Sequence, residues 1–303
     1  MEYILQTKEV SKAFSGKLAV DHVSINVGKG DIYGFIGENG AGKTTLMRMV
    51  CGLASPTGGE LALFGSSDLV AQRYRVGCTI ENPALYPAMT ALENMEVQRL
   101  LLGIKEKKVC GELLELAGLD YTGGKKAKDF SLGMKQRLMI ALSLLGVPEF
   151  LVLDEPTNGL DPMGIKEVRD FLGRLNRERG ITIFVSSHIL GELEKIATRY
   201  GVISNGKLVD EFLAEELAGR CGKNLVIHSN DREKTRELIV RMFGGAVCER
   251  TPENALRVKD HVEDAGQIVK ALVAEGITVS AVIPEGDKLE DYFLKLMGGH
   301  QYA

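Results

Sequence analysis

The sequence predicts an α/β domain followed by a smaller α+β domain, and three observations lead to this fold class. Short β-branched runs alternate with amphipathic helical patterns in the first part of the chain, which is typical of a largely parallel sheet. A stretch with helical patterns alone, at about residues 90–146, interrupts this alternation. A new alternation begins beyond residue 217. Because 303 residues exceed one typical core, we expect two domains, residues 1–217 and 218–303.

Each predicted strand of the first domain is a short apolar run that is rich in β-branched residues. These strands are residues 3–7, 18–27, 31–36, 61–64, 76–80, 150–153, 181–186 and 199–204. The interrupting stretch contains three predicted helices, at residues 91–102, 107–117 and 132–145. We interpret it as a helical subdomain inserted into the α/β domain.

The second domain has a β-α-β-β-α-β order, which is typical of a ferredoxin-like topology. Its predicted strands are residues 224–229, 246–251, 255–260 and 277–284. Its predicted helices are residues 232–243 and 262–275, followed by a terminal helix at 288–297. The boundary is expected at residues 217–223, where Gly219 and Gly222 interrupt the pattern.

The composition limits the classes of function. The chain has 37 Lys and Arg residues against 41 Asp and Glu residues, so it lacks the basic excess of most nucleic-acid-binding proteins, and no nucleic-acid partner is expected. The five cysteines are odd in number and never form C-x-x-C, which favours a reducing cytosol over a disulfide or zinc framework. The longest apolar stretch, residues 138–147, is half of the roughly 20 residues that a membrane span needs. No signal peptide is recognisable, so any membrane connection is expected to run through a partner.

A phosphate-binding loop is the most specific motif. Residues 37–44 read Gly-Glu-Asn-Gly-Ala-Gly-Lys-Thr, which matches G-x-x-x-x-G-K-[ST] between an apolar strand and a helix. Glycines allow backbone N–H groups to approach phosphate closely, and the following helix presents its positive N-terminal end. Lys43 should reach the β- and γ-phosphates, and Thr44 should ligate Mg²⁺. The residues predicted to bind ATP here are Gly37, Glu38, Asn39, Gly40, Ala41, Gly42, Lys43, Thr44 and Thr45.

Two acidic residues follow the apolar strand at residues 150–153. A buried parallel strand that delivers Asp154 to the phosphate edge of the sheet suits a magnesium ligand. Glu155 should point in a different direction, because side chains alternate near a strand end, and it could therefore act as the general base on an attacking water.

In this context the sequence resembles the nucleotide-binding subunit of an ABC transporter over about 210 residues. The segment Phe-Ser-Leu-Gly-Met-Lys-Gln-Arg at residues 130–137 resembles the ABC signature, and Asn-Gly-Leu-Asp at residues 158–161 resembles the D-loop. His188 matches the switch histidine, and Phe14 falls where an aromatic residue stacks on adenine. The resemblance implies a P-loop NTPase fold of ABC type.

The family also implies a composite site and a membrane partner. Each ATP would lie between the phosphate loop of one copy and the signature helix of another, so a homodimer is expected in the ATP state. Asp154 and Thr44 would hold Mg²⁺, and His188 would contact the γ-phosphate. The chain would act with an integral-membrane permease, as a cytoplasmic protein peripheral on the inner face of the membrane. The residues implied to meet ATP across the interface are Ser131, Gly133, Met134 and Asp161.

Departures from the family pattern narrow the subfamily. Most family members have a Gln that touches magnesium and the permease, and this sequence has Glu81 at that position. A carboxylate is still an oxygen ligand for Mg²⁺. The resemblance therefore implies catalytic and metal-binding roles for Glu81. The segment around it, residues 80–87, resembles ATPases that export, or protect against, lantibiotics and bacitracin-like peptides. Leu132 and Met134 replace the usual Gly and Gln of the signature. The second domain resembles the small extra domain of these exporters. We interpret it as a regulatory or dimer-supporting module rather than a ligand-binding domain.

The sequence leaves other functions open. An ABC-type ATPase acting on nucleic acid or ribosomes would usually have tandem domains or a long coiled coil, and neither pattern is present in this sequence. Export of another hydrophobic drug or lipid fits the same motifs. A GTPase would carry an Asn-Lys-x-Asp motif, which the sequence lacks.

Overall fold

The computed structural model describes residues 2–80, 85–217, 223–251, 255–259, 261–286 and 292. The chain divides into two compact units, residues 1–214 and 215–303. The predicted boundary after residue 217 stays a prediction, because residues 218–222 lie outside the described part.

The strands of the first unit are β1 Tyr3–Phe14, β2 Lys17–Val23, β3 Asn26–Gly28, β4 Ile32–Ile36, β5 Gly58–Leu63, β6 Val76–Thr79, β7 Phe150–Leu153, β8 Thr182–Ser187, β9 Arg199–Ser204 and β10 Lys207–Leu213. Its helices are α1 Lys43–Cys51, α2 Leu69–Arg73, α3 Ala91–Leu101, α4 Lys108–Leu116, α5 Leu132–Ser143, α6 Pro162–Arg179 and α7 Leu190–Leu193. The second unit contains β11 Lys223–Ser229, α8 Arg232–Phe243, β12 Cys248–Arg250, β13 Leu256–Lys259, α9 Ala265–Ala274 and β14 Val279–Gly286.

The main sheet of the first unit has the strand order β10-β9-β4-β8-β7-β6. All its pairings are parallel except that of β9 with the edge strand β10. Every residue of β4, β7 and β8 is buried, which is typical of a parallel sheet covered on both faces. Because the carboxyl ends of parallel strands meet at one edge, the residues that follow β4, β7 and β8 come together there.

A second, antiparallel sheet contains β2, β1 and β3, with β5 also paired to β1. The prediction of a largely parallel sheet missed it. The predicted strand 18–27 is two strands because Thr7 occupies the break: its hydroxyl donates to the Val23 carbonyl at 3.0 Å and accepts from the Ile25 N–H at 2.9 Å. Strand β10 was also missed. Asn205 and Gly206, with φ of 49° and 82°, form the turn before it, and Asn-Gly is a strong hairpin signal.

The helical insertion consists of α3, α4 and α5, whose observed ends lie within two residues of the predicted ones. Helix α3 begins with a capping box: the Glu93 N–H donates to the Thr90 hydroxyl at 3.1 Å, and the Thr90 N–H donates to the Glu93 carboxylate at 2.6 Å. The Thr90 N–H, together with the Lys126 amine, lowers the pKa of Glu93. Buried Arg137 of α5 donates to the Ala117 carbonyl at 2.7 Å, which ties α5 to the end of α4.

The second unit contains an antiparallel sheet of order β12-β13-β11-β14, the strand order of the predicted ferredoxin-like topology. Helices α8 and α9 contribute Ile239, Ile268 and Leu272 to its core, opposite Leu225 and Val258 of the sheet. The predicted terminal helix at 288–297 lies outside the described residues except for Tyr292. Within the described ranges of both units, no helix is long and apolar enough to cross a membrane.

Candidate nucleotide-binding site

The phosphate loop connects β4 to α1, and its geometry requires glycine at two positions. Gly42 has a φ of 108°, and a Cβ on it would lie 2.4 Å from the Ala19 carbonyl oxygen. A Cβ on Gly37 would lie 2.3 Å from the Ile203 carbonyl oxygen. Gly42 is also the N-cap of α1 and has no side chain to bond the first-turn N–H groups. These N–H groups are therefore available to an anion such as a phosphate.

The ammonium group of Lys43 is enclosed by its own loop. Its side chain is only 4% exposed, and Nζ donates to the carbonyls of Gly37 at 2.7 Å and Glu38 at 3.1 Å. Nζ also lies 3.0 Å from Glu155 Oε1. Lys43 therefore connects the phosphate loop to the acidic end of β7.

Asp154, the predicted magnesium ligand, directly follows β7. Its carboxylate accepts one hydrogen bond from the Thr44 hydroxyl and one from the Ser186 hydroxyl, each at 2.7 Å. A carboxylate and a hydroxyl are oxygen ligands of the kind that Mg²⁺ prefers, so the residues present fit the ion. No group of three or more His, Cys, Asp and Glu side chains that could hold a metal is found in the described part of the chain. Mg²⁺ that is bound through one carboxylate takes its other ligands from substrate phosphate and water oxygens.

Glu155 follows Asp154 in a left-handed backbone conformation, with φ of 49°. This conformation costs a non-glycine residue on the order of 1 kcal/mol and persists only where the surroundings hold it. Its N–H donates to the Ser186 hydroxyl at 2.9 Å. Its carboxylate contacts Lys43 and also His188 Nδ1. The residues that follow β4, β7 and β8 therefore form one polar cluster.

The signature segment and the D-loop form a second cluster. Ser131 caps α5 by accepting from the Met134 N–H at 3.2 Å, and Asp161 caps α6 by accepting from the Gly164 N–H at 2.8 Å. A cleft of about 380 Å³ separates the two helix starts. Among the described residues, it is lined by these segments and by no residue of the phosphate loop. Its lining residues are Ser131, Leu132, Gly133, Leu160, Asp161, Met163, Gly164 and Glu167.

Three other predicted residues are exposed, and one lies outside the described part of the chain. Phe14 ends β1 and is half exposed, with the Lys12 amine 5.1 Å from its ring centroid. Glu38 and Asn39 are exposed at the tip of the phosphate loop. Glu81, with both roles implied for it, lies outside the described residues.

Sequence reasoning missed two polar residues, Ser186 and Glu192. Ser186 is fully buried at the end of β8, where it bonds both acidic residues that follow β7. The signal was a pair of serines that ends an apolar strand next to the acid-bearing one. Glu192 is buried after His188 and bonds Thr157. No sequence pattern indicated that Glu192 would be buried while Glu194, two positions later, would be exposed.

A glycine-rich loop around a lysine, a Thr–Asp pair and a second carboxylate at the edge of a parallel sheet define a P-loop nucleotide hydrolase. Comparison with known proteins agrees. Residues 20–158 match the family model described as ABC transporter. The bacitracin transport ATP-binding protein BcrA of Bacillus licheniformis is 43% identical over 302 residues, 99% of each chain. The lantibiotic transport ATP-binding protein SrtF of Streptococcus pyogenes is 41% identical over 69% of this chain and 90% of its own length.

Solved structures give the same result. The dimeric post-hydrolysis state of the ATP-binding cassette MJ0796, bound to ADP and Pi, is 26% identical with a TM-score of 0.62. The match covers 69% of this chain and 98% of that one. The chain belongs to the family of ABC transporter ATP-binding proteins: it is a subunit that binds ATP with Mg²⁺ and hydrolyses it for transport.

Proposed function

We propose that this ATPase powers export of, or protection against, an antimicrobial peptide such as bacitracin or a lantibiotic, through a separate membrane permease. One observation carries the proposal: the similarity to the bacitracin transport protein of Bacillus licheniformis extends over 99% of both chains. It therefore includes the second unit, which contains none of the ATPase motifs. A generic ATPase cassette would match in the first unit alone.

We also propose a role for each residue of the first cluster. Lys43 and the first N–H groups of α1 would hold the phosphates, and Thr44 and Asp154 would hold Mg²⁺. Magnesium, when bound, would neutralise charge on the phosphate oxygens. Glu155 would accept a proton from the attacking water, and His188, bonded to it through Nδ1, would orient that carboxylate and stabilise the transition state. Support comes from the contacts of Lys43 and His188 with the same carboxylate.

The second cluster supports a homodimer. The cleft between Ser131 and Asp161 lacks phosphate-loop residues in the described chain, so we propose that the phosphate loop of a second copy faces it. The cassette MJ0796, which this chain resembles, is dimeric. We place the dimer on the cytoplasmic face of the membrane, peripheral and bound to the permease. The second unit would support the dimer or regulate it.

A resistance assay tests the peptide proposal. A bacitracin-sensitive host would express the chain together with the permease that co-purifies with it from membranes, and the matched control would carry Lys43→Ala. We expect the first strain to grow at higher bacitracin or lantibiotic concentrations and the control to stay sensitive, because Lys43 contacts the phosphate-loop carbonyls and Glu155. Equal sensitivity of both strains to the whole panel, with ATPase activity intact, would contradict peptide protection.

The phosphate-loop assignment has its own test. Calorimetry should find that Lys43→Ala binds Mg-ATP at least tenfold more weakly than the unmodified chain, since one charge-assisted contact contributes about 1.5–3 kcal/mol. Lys29→Ala is the control, because Lys29 is an exposed lysine paired with Glu2. Unchanged affinity in Lys43→Ala would refute the assignment.

A further inference from the structure

Glu192 is a buried carboxylate that the proposed hydrolysis does not use. It lies in α7, four residues after His188, and the whole residue is only 8% exposed. Its Oε2 accepts a hydrogen bond from the Thr157 hydroxyl and lies 3.2 Å from the Ser187 hydroxyl. No ion pair compensates its charge within the described ranges. Burial of a carboxylate costs free energy unless hydrogen bonds compensate it. The partners of Glu192 should therefore explain why it is buried here.

The partners of Glu192 belong to two segments of the site. Thr157 follows Glu155 by two residues and directly precedes the D-loop, and the Leu160 N–H donates to its carbonyl at 3.2 Å. Ser187 directly precedes His188, and its carbonyl lies 3.4 Å from the Gly37 N–H. One carboxylate therefore contacts both the chain that leads from the base to the D-loop and the chain that carries His188.

We propose that Glu192 is a positioning residue that holds these two segments in register. By fixing Thr157 relative to Ser187, it aligns Glu155 with His188 and sets the start of the D-loop, which would face the second copy. This inference rests on the proposed roles of Glu155 and His188. It assigns Glu192 no contact with nucleotide.

Thr157 is the firmer of the two partners. The Ser187 hydroxyl has one proton and two acceptors near it, since the Ile189 carbonyl lies at 2.9 Å and Glu192 Oε2 at 3.2 Å. The Thr157 hydroxyl has Glu192 as its acceptor. Removing the Thr157 hydroxyl therefore tests the contact without removing the buried carboxylate.

The experiment measures ATPase rate against ATP concentration for the unmodified chain, one control variant and four test variants. These are Glu192→Gln, Thr157→Val, their double variant and Thr157→Ser, which keeps the hydroxyl. We expect kcat to fall about tenfold in both single variants, because a charge-assisted hydrogen bond is lost or weakened, while KM stays within about twofold. The double variant should be no slower than the slower single one, and Thr157→Ser should recover most of the rate. Glu194→Gln, exposed and two residues away, is the control and should match the unmodified chain.

Three results would overturn the inference: kcat within twofold of the unmodified chain in both single variants, additive losses in the double variant, or no recovery in Thr157→Ser. If the Glu192 variant does not fold, the Thr157 pair still decides. An unmodified chain without magnesium-dependent ATPase activity would instead contradict the proposed function itself. ATP binding by each variant, measured by calorimetry, separates these cases, because positioning should leave it unchanged.

Discussion

Replacing Glu155 with Gln should stop ATP hydrolysis and leave ATP binding intact. The carboxylate has two side-chain contacts, with Lys43 Nζ at 3.0 Å and with His188 Nδ1. A glutamine oxygen can accept one of these hydrogen bonds, so the variant keeps the shape of the site. It cannot take a proton from water, because an amide is not a useful base at neutral pH.

The size of the effect follows from these contacts. Loss of a general base lowers a rate by roughly 10²- to 10⁴-fold, which is about 3–5 kcal/mol in the barrier. Binding should not weaken, since Lys43 keeps its loop carbonyls at 2.7 and 3.1 Å and no longer has an anionic side chain that competes with phosphate. We therefore expect ATP affinity equal to or above that of the unmodified chain.

A coupled ATPase assay, calorimetry and a sizing column with Mg-ATP check this prediction. Glu149→Gln is the matched control, because Glu149 lies beside the opposite end of β7 and pairs with Arg75 at 2.7 Å. We expect it to hydrolyse ATP normally, whereas Glu155→Gln should elute as a nucleotide-stabilised dimer. ATPase activity of Glu155→Gln within threefold of the unmodified chain would refute its role as the base. A monomeric elution profile with bound ATP would refute the composite site.

Three further outcomes are expected. Gly42→Ala should weaken ATP binding more than tenfold by calorimetry, because the added Cβ would lie 2.4 Å from a backbone carbonyl oxygen. Gly40→Ala has open space around its Cβ and should lose less ATP affinity. Asp154→Asn should make ATP affinity nearly independent of magnesium in a titration with and without the ion, since a carboxylate ligand is lost. Cys78 should react with iodoacetamide with a midpoint near pH 7, because a hydrogen bond from the Cys51 thiol lowers its pKa to about 7 and the reactive thiolate forms above that pH. Cys51→Ala, which removes the donor, should shift the midpoint to higher pH, whereas Cys51→Ser keeps a donor and should not.

Sequence patterns predicted the parts of the molecule that local interactions determine. The observed α8 has the predicted residues 232–243, since its Asp231 cap and amphipathic period are both readable in the sequence. The phosphate loop is likewise a contiguous motif. The extension of β1 to Phe14 was not predicted, because it depends on distant partners: the Thr57 hydroxyl accepts from the Ala13 N–H at 3.1 Å, and the Thr57 N–H donates to the Ser11 carbonyl at 2.8 Å. Such long-range pairs leave no local pattern.

The two acidic residues after β7 illustrate the same limit within the site. The sequence predicts that Asp154 and Glu155 point in different directions because side chains alternate along a strand. In the structure their carboxylates have different partners. The backbone at Glu155 is left-handed, with φ of 49°, rather than that of a continuing strand, and no periodic pattern encodes this for a glutamate. The Ser186 hydroxyl accepts from the Glu155 N–H at 2.9 Å and donates to Asp154 at 2.7 Å, so one side chain on a neighbouring strand fixes both acids. Parallel pairing of β7 with β8 brings Ser186 to this position. The sheet therefore determines where the two carboxylates lie, whereas the local sequence motif determines only which chemical groups are present.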